Sequence, residues 1–223
     1  MADSTYLPAL RFRALTRFFD PLLRVAMPEE RLKRRLVEQA SPAATSRILD
    51  VGCGTGTLAI LLKQAAPRAE VVGLDADPEI LEIAREKGAR AGTEVRFVHG
   101  FSTALPFEDG SVDRVLSTLF FHHLAGEAKR DTATEIARVL KPGGELHVAD
   151  IGRPSDPLMR ALVMQVRLFD GFEQTRDNVN GGLPAIFAGA GLDEVEEGER
   201  FRTAVGTVAL YRARRPPRRR RRR

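Results

Sequence analysis

Residues 48–60 read ILDVGCGTGTLAI: a short β-branched apolar run, a turn holding three glycines, then an apolar helical start. A strand that enters a helix through glycines lets backbone come close to a ligand, because glycine has no Cβ and tolerates positive φ. A plain tight turn is the bland alternative. Among binding turns, a phosphate-cradling P-loop needs a Lys-Ser/Thr pair, and none follows. A dinucleotide turn, G-x-G-x-x-G, needs a third glycine five positions after the first, where this chain has Thr57. What stands here is D-x-G-x-G-x-G: Asp50, Gly52, Gly54 and Gly56.

Outward from this turn the chain alternates. EVVGLDAD reads as a second strand and PEILEIAREKGARAG as a helix opened by Pro78. EVRFVHG and SVDRVLSTLFF give a third and a fourth strand; GEAKRDTATEIARVL is a helix closed by KPGG, and ELHVADIG a fifth strand. Strands separated by helices of this length predict an α/β, doubly wound, Rossmann-like sheet, mostly parallel and of about seven strands. DEVEEGERF and TAVGTVALYRA predict an antiparallel hairpin at its edge. Residues 7–40 read as helix interrupted at Pro21 and Pro28, and an irregular helical stretch follows Pro154. The expected organisation is an N-terminal helical lid or substrate cap over 1–46 and a core over 47–211. Within that core, 152–190 is a substrate-side insertion, and a disordered arginine-rich tail covers 212–223.

The bulk numbers exclude several classes. At 223 residues and 43% apolar content, the chain suits one domain with a real core. No run approaches the roughly 18 apolar residues of a membrane span, and the N-terminus lacks the layout of a secretory signal. The single cysteine, Cys53, excludes an intramolecular disulfide and a clustered-cysteine metal site, so a reducing cytoplasm is the expected location. No histidine or acid pattern demands a metal. The net charge of +5 hides a division: residues 212–223 carry nine arginines and no acid, residues 1–36 carry +4, and the body between is at −8. The basic ends suit contact with a membrane surface or another polyanion; no motif points to specific nucleic-acid recognition.

The glycine turn resembles motif I of class I S-adenosylmethionine-dependent methyltransferases. GLDAD, GFSTALPFEDGSVDRVLS and ARVLKPGGELHVADI resemble that family's later blocks in the family's order, together spanning residues 47–151. The likeness is to the small-molecule branch that includes the ubiquinone and menaquinone C-methyltransferases. It implies S-adenosyl-L-methionine as cofactor and S-adenosyl-L-homocysteine as product. It places Asp50, Gly52, Cys53, Gly54, Gly56, Asp75, Ala76, Phe101, Ser102 and Ser117 on the cofactor side, with Asp75 on the ribose hydroxyls. One departure is visible: the family usually shows Gly-Asp-Ala where this chain has Gly100, Phe101 and Ser102. Phe101 cannot accept from the adenine amino group, which leaves that contact to Ser102 or a carbonyl.

On the acceptor side, His122 and His123 follow the fourth strand, at the sheet end where ligands of open α/β folds sit. They are the candidate catalytic pair, since an unperturbed histidine titrates near 6.5. Loop or cap roles are the alternative for both. His99 and His147 read as structural. LSTLFFHHL lacks the Asn/Asp-Pro-Pro-aromatic box of amino-group methylases. The expected activity is therefore methyl transfer to a small acceptor, lipophilic ones included. The alternatives are a non-catalytic cofactor-binding module and a phospholipid, membrane-surface or macromolecule methyltransferase.

Overall fold

The computed structural model describes residues 29–217. Fourteen helices and strands follow one another along it, with one 3-10 turn. They are α1 (Glu29–Ala40), β1 (Arg47–Val51), α2 (Thr57–Ala65), β2 (Glu70–Asp75), α3 (Pro78–Arg90), β3 (Arg96–His99), β4 (Val112–Thr118), a 3-10 turn (Phe121–His123), α4 (Gly126–Val139), β5 (Leu140–Ile151), α5 (Pro157–Asp170), α6 (Phe172–Val179), α7 (Leu183–Gly189), β6 (Asp193–Thr203) and β7 (Gly206–Arg214). The seven strands form one sheet in the order β3-β2-β1-β4-β5-β7-β6. The first five are parallel; β7 runs antiparallel to both β5 and β6. The predicted hairpin is present, with β7 inserted next to β5 and β6 at the edge.

Both sheet faces are covered, as a parallel sheet requires. On one face α1, α2 and α3 bury Leu32, Leu36, Leu58, Leu62 and Leu81 against Ile48, Val71 and Leu116. On the other, α4 and α7 bury Ile136, Val139, Leu183 and Phe187 against Leu49, Val51, Val115 and Val148. Odd and even positions of β1 therefore serve different layers, so a one-residue slip would misplace both.

Three boundaries differ from expectation. KPGG does not end the helix before β5; it lies inside β5 as a bulge, since Val112 pairs with Leu140 and Arg114 with Glu145. The expected lid over 1–46 is described only from Glu29 onward; residues 1–28 lie outside the described residues. Its described helix α1 is a core element, with Leu32, Leu36 and Ala40 on one stripe facing the sheet and Gln39 donating to the Tyr211 carbonyl at 3.1 Å. The tail was expected from Arg212, yet β7 runs through Arg214, and Arg215 exchanges backbone bonds with Gly143 and Gly144. Arginine's long aliphatic stem makes it compatible with an inner strand. Residues 218–223 lie outside the described residues.

His147, fully buried in β5, is structural. Its Nδ1 meets Gln39 Nε2 at 3.0 Å and its Nε2 meets Glu145 at 3.2 Å, so a neutral ring accepts from the amide and donates to the carboxylate. Burial pushes its pKa down to about 4, with Glu145 opposing the fall. The unfolded chain, titrating near 6.5, therefore takes up this proton first. The resulting loss of stability starts as pH falls below about 6.5 and reaches about 3 kcal/mol near pH 4. His147→Gln removes this contribution: its urea midpoint should fall less steeply between pH 7 and 4.5 than that of the parent. Parallel pH profiles would show that the buried ring is not what titrates.

Candidate functional site

The carboxyl ends of β1, β2, β4 and β5 converge on two adjoining half-sites. The first is built by the glycine turn. Gly52, Gly54 and Gly56 all take positive φ, at 69°, 51° and 74°, which side chains rarely tolerate. Their reasons differ. A Cβ on Gly52 would meet the Phe120 ring at 2.3 Å, and one on Gly56 the Phe97 ring at 2.7 Å. A Cβ on Gly54 would meet nothing within 4 Å, so this glycine faces open space. The turn is tied to β2: Gly52 and Cys53 donate to the Leu74 carbonyl at 2.9 and 3.0 Å, and Gly54 donates to Asp75 Oδ2 at 2.8 Å.

Asp75 also accepts from the Asp77 backbone at Oδ1, 3.0 Å. Each of its oxygens thus has one protein donor and a second lone pair in reserve. Asp77, which sequence reasoning passed over, caps α3 through the Glu79 and Ile80 amides. Beside it, His99 Nε2 lies 3.2 Å from the Ala76 carbonyl, and the half-exposed Phe101 ring stands edge-on to His99. Ala76, His99 and Phe101 make an aromatic wall next to Asp75. His99 carries no signal in the sequence beyond its place at the end of β3.

Asp50 is the unusual member. It is 1% exposed, and its Oδ2 has no hydrogen-bond partner. Desolvation pushes its pKa up to about 7; Lys33 on α1 pulls the other way, Asp75 adds to the rise, and the Ala59 amide offsets part of it. The buried hydroxyl of Thr118, at the end of β4, is likewise unpartnered. Two polar atoms left unsatisfied beside the turn are costly unless a ligand or water completes them.

Other expected cofactor residues are committed elsewhere by their side chains. Ser102 is buried and bonds Thr132 of α4 at 2.8 Å; Ser117 is fully buried and donates to the Val51 carbonyl at 2.8 Å. Cys53 packs its sulfur toward Gly73, where burial pushes the thiol pKa far up. For these three, only backbone remains to face a ligand.

The second half-site is organised by Asp150, a fully buried carboxylate at the end of β5. Its Oδ2 accepts from the Phe120 and Phe121 amides at 3.0 and 2.7 Å. Its Oδ1 accepts from His122 Nδ1 at 2.7 Å, the Ile151 amide at 2.7 Å and Asn178 Nδ2 at 3.1 Å. Burial would raise its pKa, but the His122 charge and these donors hold it below the usual carboxylate range. Burial alone would lower His122; Asp150 and then Asp170 outweigh it and raise its pKa.

His122 and His123 stack at 4.0 Å between ring centroids. Asp170, the last residue of α5, straddles both: Oδ2 lies 3.7 Å from His122 Nε2 and Oδ1 3.3 Å from His123 Nδ1. Gly171, at φ 103°, turns the chain there, so that α6 returns Asn178 to Asp150. Leu119, a non-glycine residue at φ 53°, sits at the end of β4, a strained geometry of the kind that gathers at functional sites. Sequence reasoning missed Asp150 and Asp170. The first had a signal, an acid closing the fifth strand; the second had none, since only the fold brings α5 beside the histidines.

Residues 48–144 match the sequence family described as "Methyltransferase domain". A demethylmenaquinone methyltransferase of Thermus thermophilus is 46% identical over 124 residues, 56% of this chain and 56% of that protein. One from Deinococcus radiodurans is 35% identical over 130 residues, covering 58% and 53%. The chain thus spans little more than half the length of these relatives. The crystal structure of the YcgJ protein from Bacillus subtilis superposes with a TM-score of 0.64 at 27% identity, covering 77% of this chain and 72% of that one. A Thermotoga maritima S-adenosylmethionine-dependent methyltransferase shares the fold with a TM-score of 0.70 at 20% identity, covering 92% and 97%. Residues 48–144 thus carry the match to the methyltransferase-domain family, and the seven-stranded sheet completed around them has the fold of these solved structures.

Proposed function

We propose that the chain is an S-adenosylmethionine-dependent methyltransferase acting on a small, lipophilic acceptor of the quinol type. The observation that carries the donor half is the buried, unpartnered Asp50 oxygen beneath a glycine turn that is open at Gly54. A cationic amino-acid head suits such a carboxylate, directly or through water, and a ribose diol suits the free lone pairs of Asp75. The Phe101–His99 wall offers an apolar face for a base, without the acid the family usually has there. Gly52, Cys53, Gly56, Ala76, Ser102 and Ser117 serve the ligand through backbone and through the shape they give the loops.

When bound, the cofactor supplies a methyl carbon already activated by a positively charged sulfur. What remains for the protein is alignment and the exclusion of water. The Phe120 ring, packed on Gly52, joins the donor turn to the His122–His123 turn and fixes their separation. His122 and His123 attend to the acceptor's ionisable oxygen, with Asp150 locking His122 in place. Leu168, Phe169 and Phe172 are 68%, 61% and 50% exposed and flank Asp170 in sequence, an apolar rim consistent with a hydrocarbon-bearing acceptor. The named activity of the demethylmenaquinone relatives agrees with this acceptor class.

Calorimetry with S-adenosylmethionine, followed by methyl-transfer assays on a demethylated quinol with and without an isoprenoid tail, tests both halves. The tailed quinol should be methylated and preferred. Absence of cofactor binding overturns the proposal, and binding without turnover on either quinol reduces the chain to a binding module.

Asp50 adds a sharper test. Its folded pKa of about 7 lies above the unfolded value near 3.9, so ionising it costs stability, a cost absent below pH 4 and complete above pH 7. Asp50→Asn should therefore stabilise the ligand-free protein by about 2–4 kcal/mol at pH 8 and leave it unchanged at pH 4. The same substitution should abolish a tightening of cofactor affinity, on the order of tenfold, between pH 5.5 and 7. Asp75→Ala should weaken cofactor binding by about 1.5–3 kcal/mol at all these pH values. Unchanged affinity would remove Asp75 from the site.

A further inference from the structure

Three side chains from two separate elements meet at the acceptor side. One ligand atom from each of His122, His123 and Asp170 lies within 4.8 Å of the others. Asp150, already accepting four other N–H donors, can only accept from His122 Nδ1, so that nitrogen carries the proton. The lone pair of a neutral His122 ring is then at Nε2, aimed at Asp170 Oδ2 3.7 Å away. In the neutral ring that lone pair faces the carboxylate, and His123 Nδ1 stands 3.3 Å from the other oxygen.

We propose that His122, His123 and Asp170 bind one divalent transition-metal ion of the zinc class, held to receive an oxygen of the acceptor. Two imidazoles and one carboxylate, with positions left over, are a donor set that such ions take. With metal–ligand bonds near 2.0 Å, neighbouring ligand atoms of a tetrahedral site stand roughly 3.3 Å apart; the 3.7 and 3.3 Å contacts run to different oxygens of Asp170, so binding through one oxygen asks for a rotation of the carboxylate. The larger spacing between the rings closes by rotation of His123, whose side chain is 49% exposed. The Asp150–His122 bond supplies the carboxylate–histidine support that fixes tautomer and ring direction in metal sites. Exposure rises from 7% at His122 through 24% at Asp170 to 49% at His123, which gives the ion an entry side and an open coordination position. Phe120, whose ring is seated on the donor turn, precedes His122 by two residues in the chain.

The ion site stands on its own geometry; only what it would meet, an acceptor with an ionisable oxygen, rests on the methyltransferase proposal. Coordination would lower the pKa of such a hydroxyl and orient it.

The test uses untagged, full-length protein stripped with chelator, titrated with Zn²⁺ by calorimetry and with Co²⁺ by visible absorption. One equivalent should bind, and Co²⁺ should develop ligand-field bands. His123→Gln and Asp170→Asn change partly exposed side chains, and circular dichroism checks their folding. Each should weaken Zn²⁺ binding more than tenfold and abolish the Co²⁺ bands. No stoichiometric uptake, or uptake equal in parent and both variants, overturns the site and leaves the histidines as proton acceptors. S-adenosylmethionine binding is measured on the same samples. Cofactor binding without metal uptake refutes the ion alone, whereas metal uptake without cofactor binding leaves the ion and refutes the methyltransferase proposal.

Discussion

The Asp150 carboxylate is the interaction on which the site depends. A buried acid at the end of β5 would be a liability, but five donors from three elements converge on its two oxygens. Hydrogen bonds to a charged acceptor are stronger than neutral ones, and inside a protein they are not diluted by water. Two of the donors are consecutive amides of the turn after β4, one is the His122 ring and one is Asn178 of α6. Truncating Asp150 would thus release the histidine turn, the return of α6 and, through α6, the placement of Asp170. The acceptor side is a consequence of one charge being fully satisfied.

The donor side shows the opposite choice. Asp50 is buried with an oxygen left unpaired, and its raised pKa measures what the fold gives up to keep it there. Lys33 on α1 eases the burden without forming a direct bond to it. A parallel sheet explains the location of both acids: its strands are buried on both faces, and only their carboxyl ends open to a crevice. Asp50 closes toward that crevice from β1 and Asp150 from β5, with β4 between them. One acid is satisfied by protein and organises; the other is kept short of partners, as a group awaiting a ligand would be.

Legibility in the sequence followed the range of the interactions. The parallel core was readable because strand, turn and helix signals are local: the glycines after Val51, Pro78 opening α3, and the alternation of apolar runs. KPGG misled because Gly and Pro mark a bulge as well as a helix end, and only pairing with β4 distinguishes them. Ser102 and Ser117 misled for a related reason: their hydroxyls are taken by Thr132 and Val51, 30 and 66 positions away. His122 and His123 stood out as a pair at a strand end, but Asp170 could not, since only the packing of α5 beside the 3-10 turn brings its carboxylate to the histidines.

Gly52 shows how the halves constrain each other. The glycines of such a turn are usually explained by a ligand that needs close approach, and Gly54, with nothing near its missing Cβ, fits that account. Gly52 does not: its missing Cβ is replaced by the Phe120 ring, whose own amide is held by Asp150. A methyl group there would push Phe120 outward and pull on the turn that carries His122. In-line transfer tolerates little displacement, since a misplacement of about 1 Å can cost on the order of a hundredfold in rate. Gly52 is therefore a spacing element between the two half-sites, demanded by the turn that carries His122 through Phe120, while at Gly54 no protein atom asks for the missing side chain.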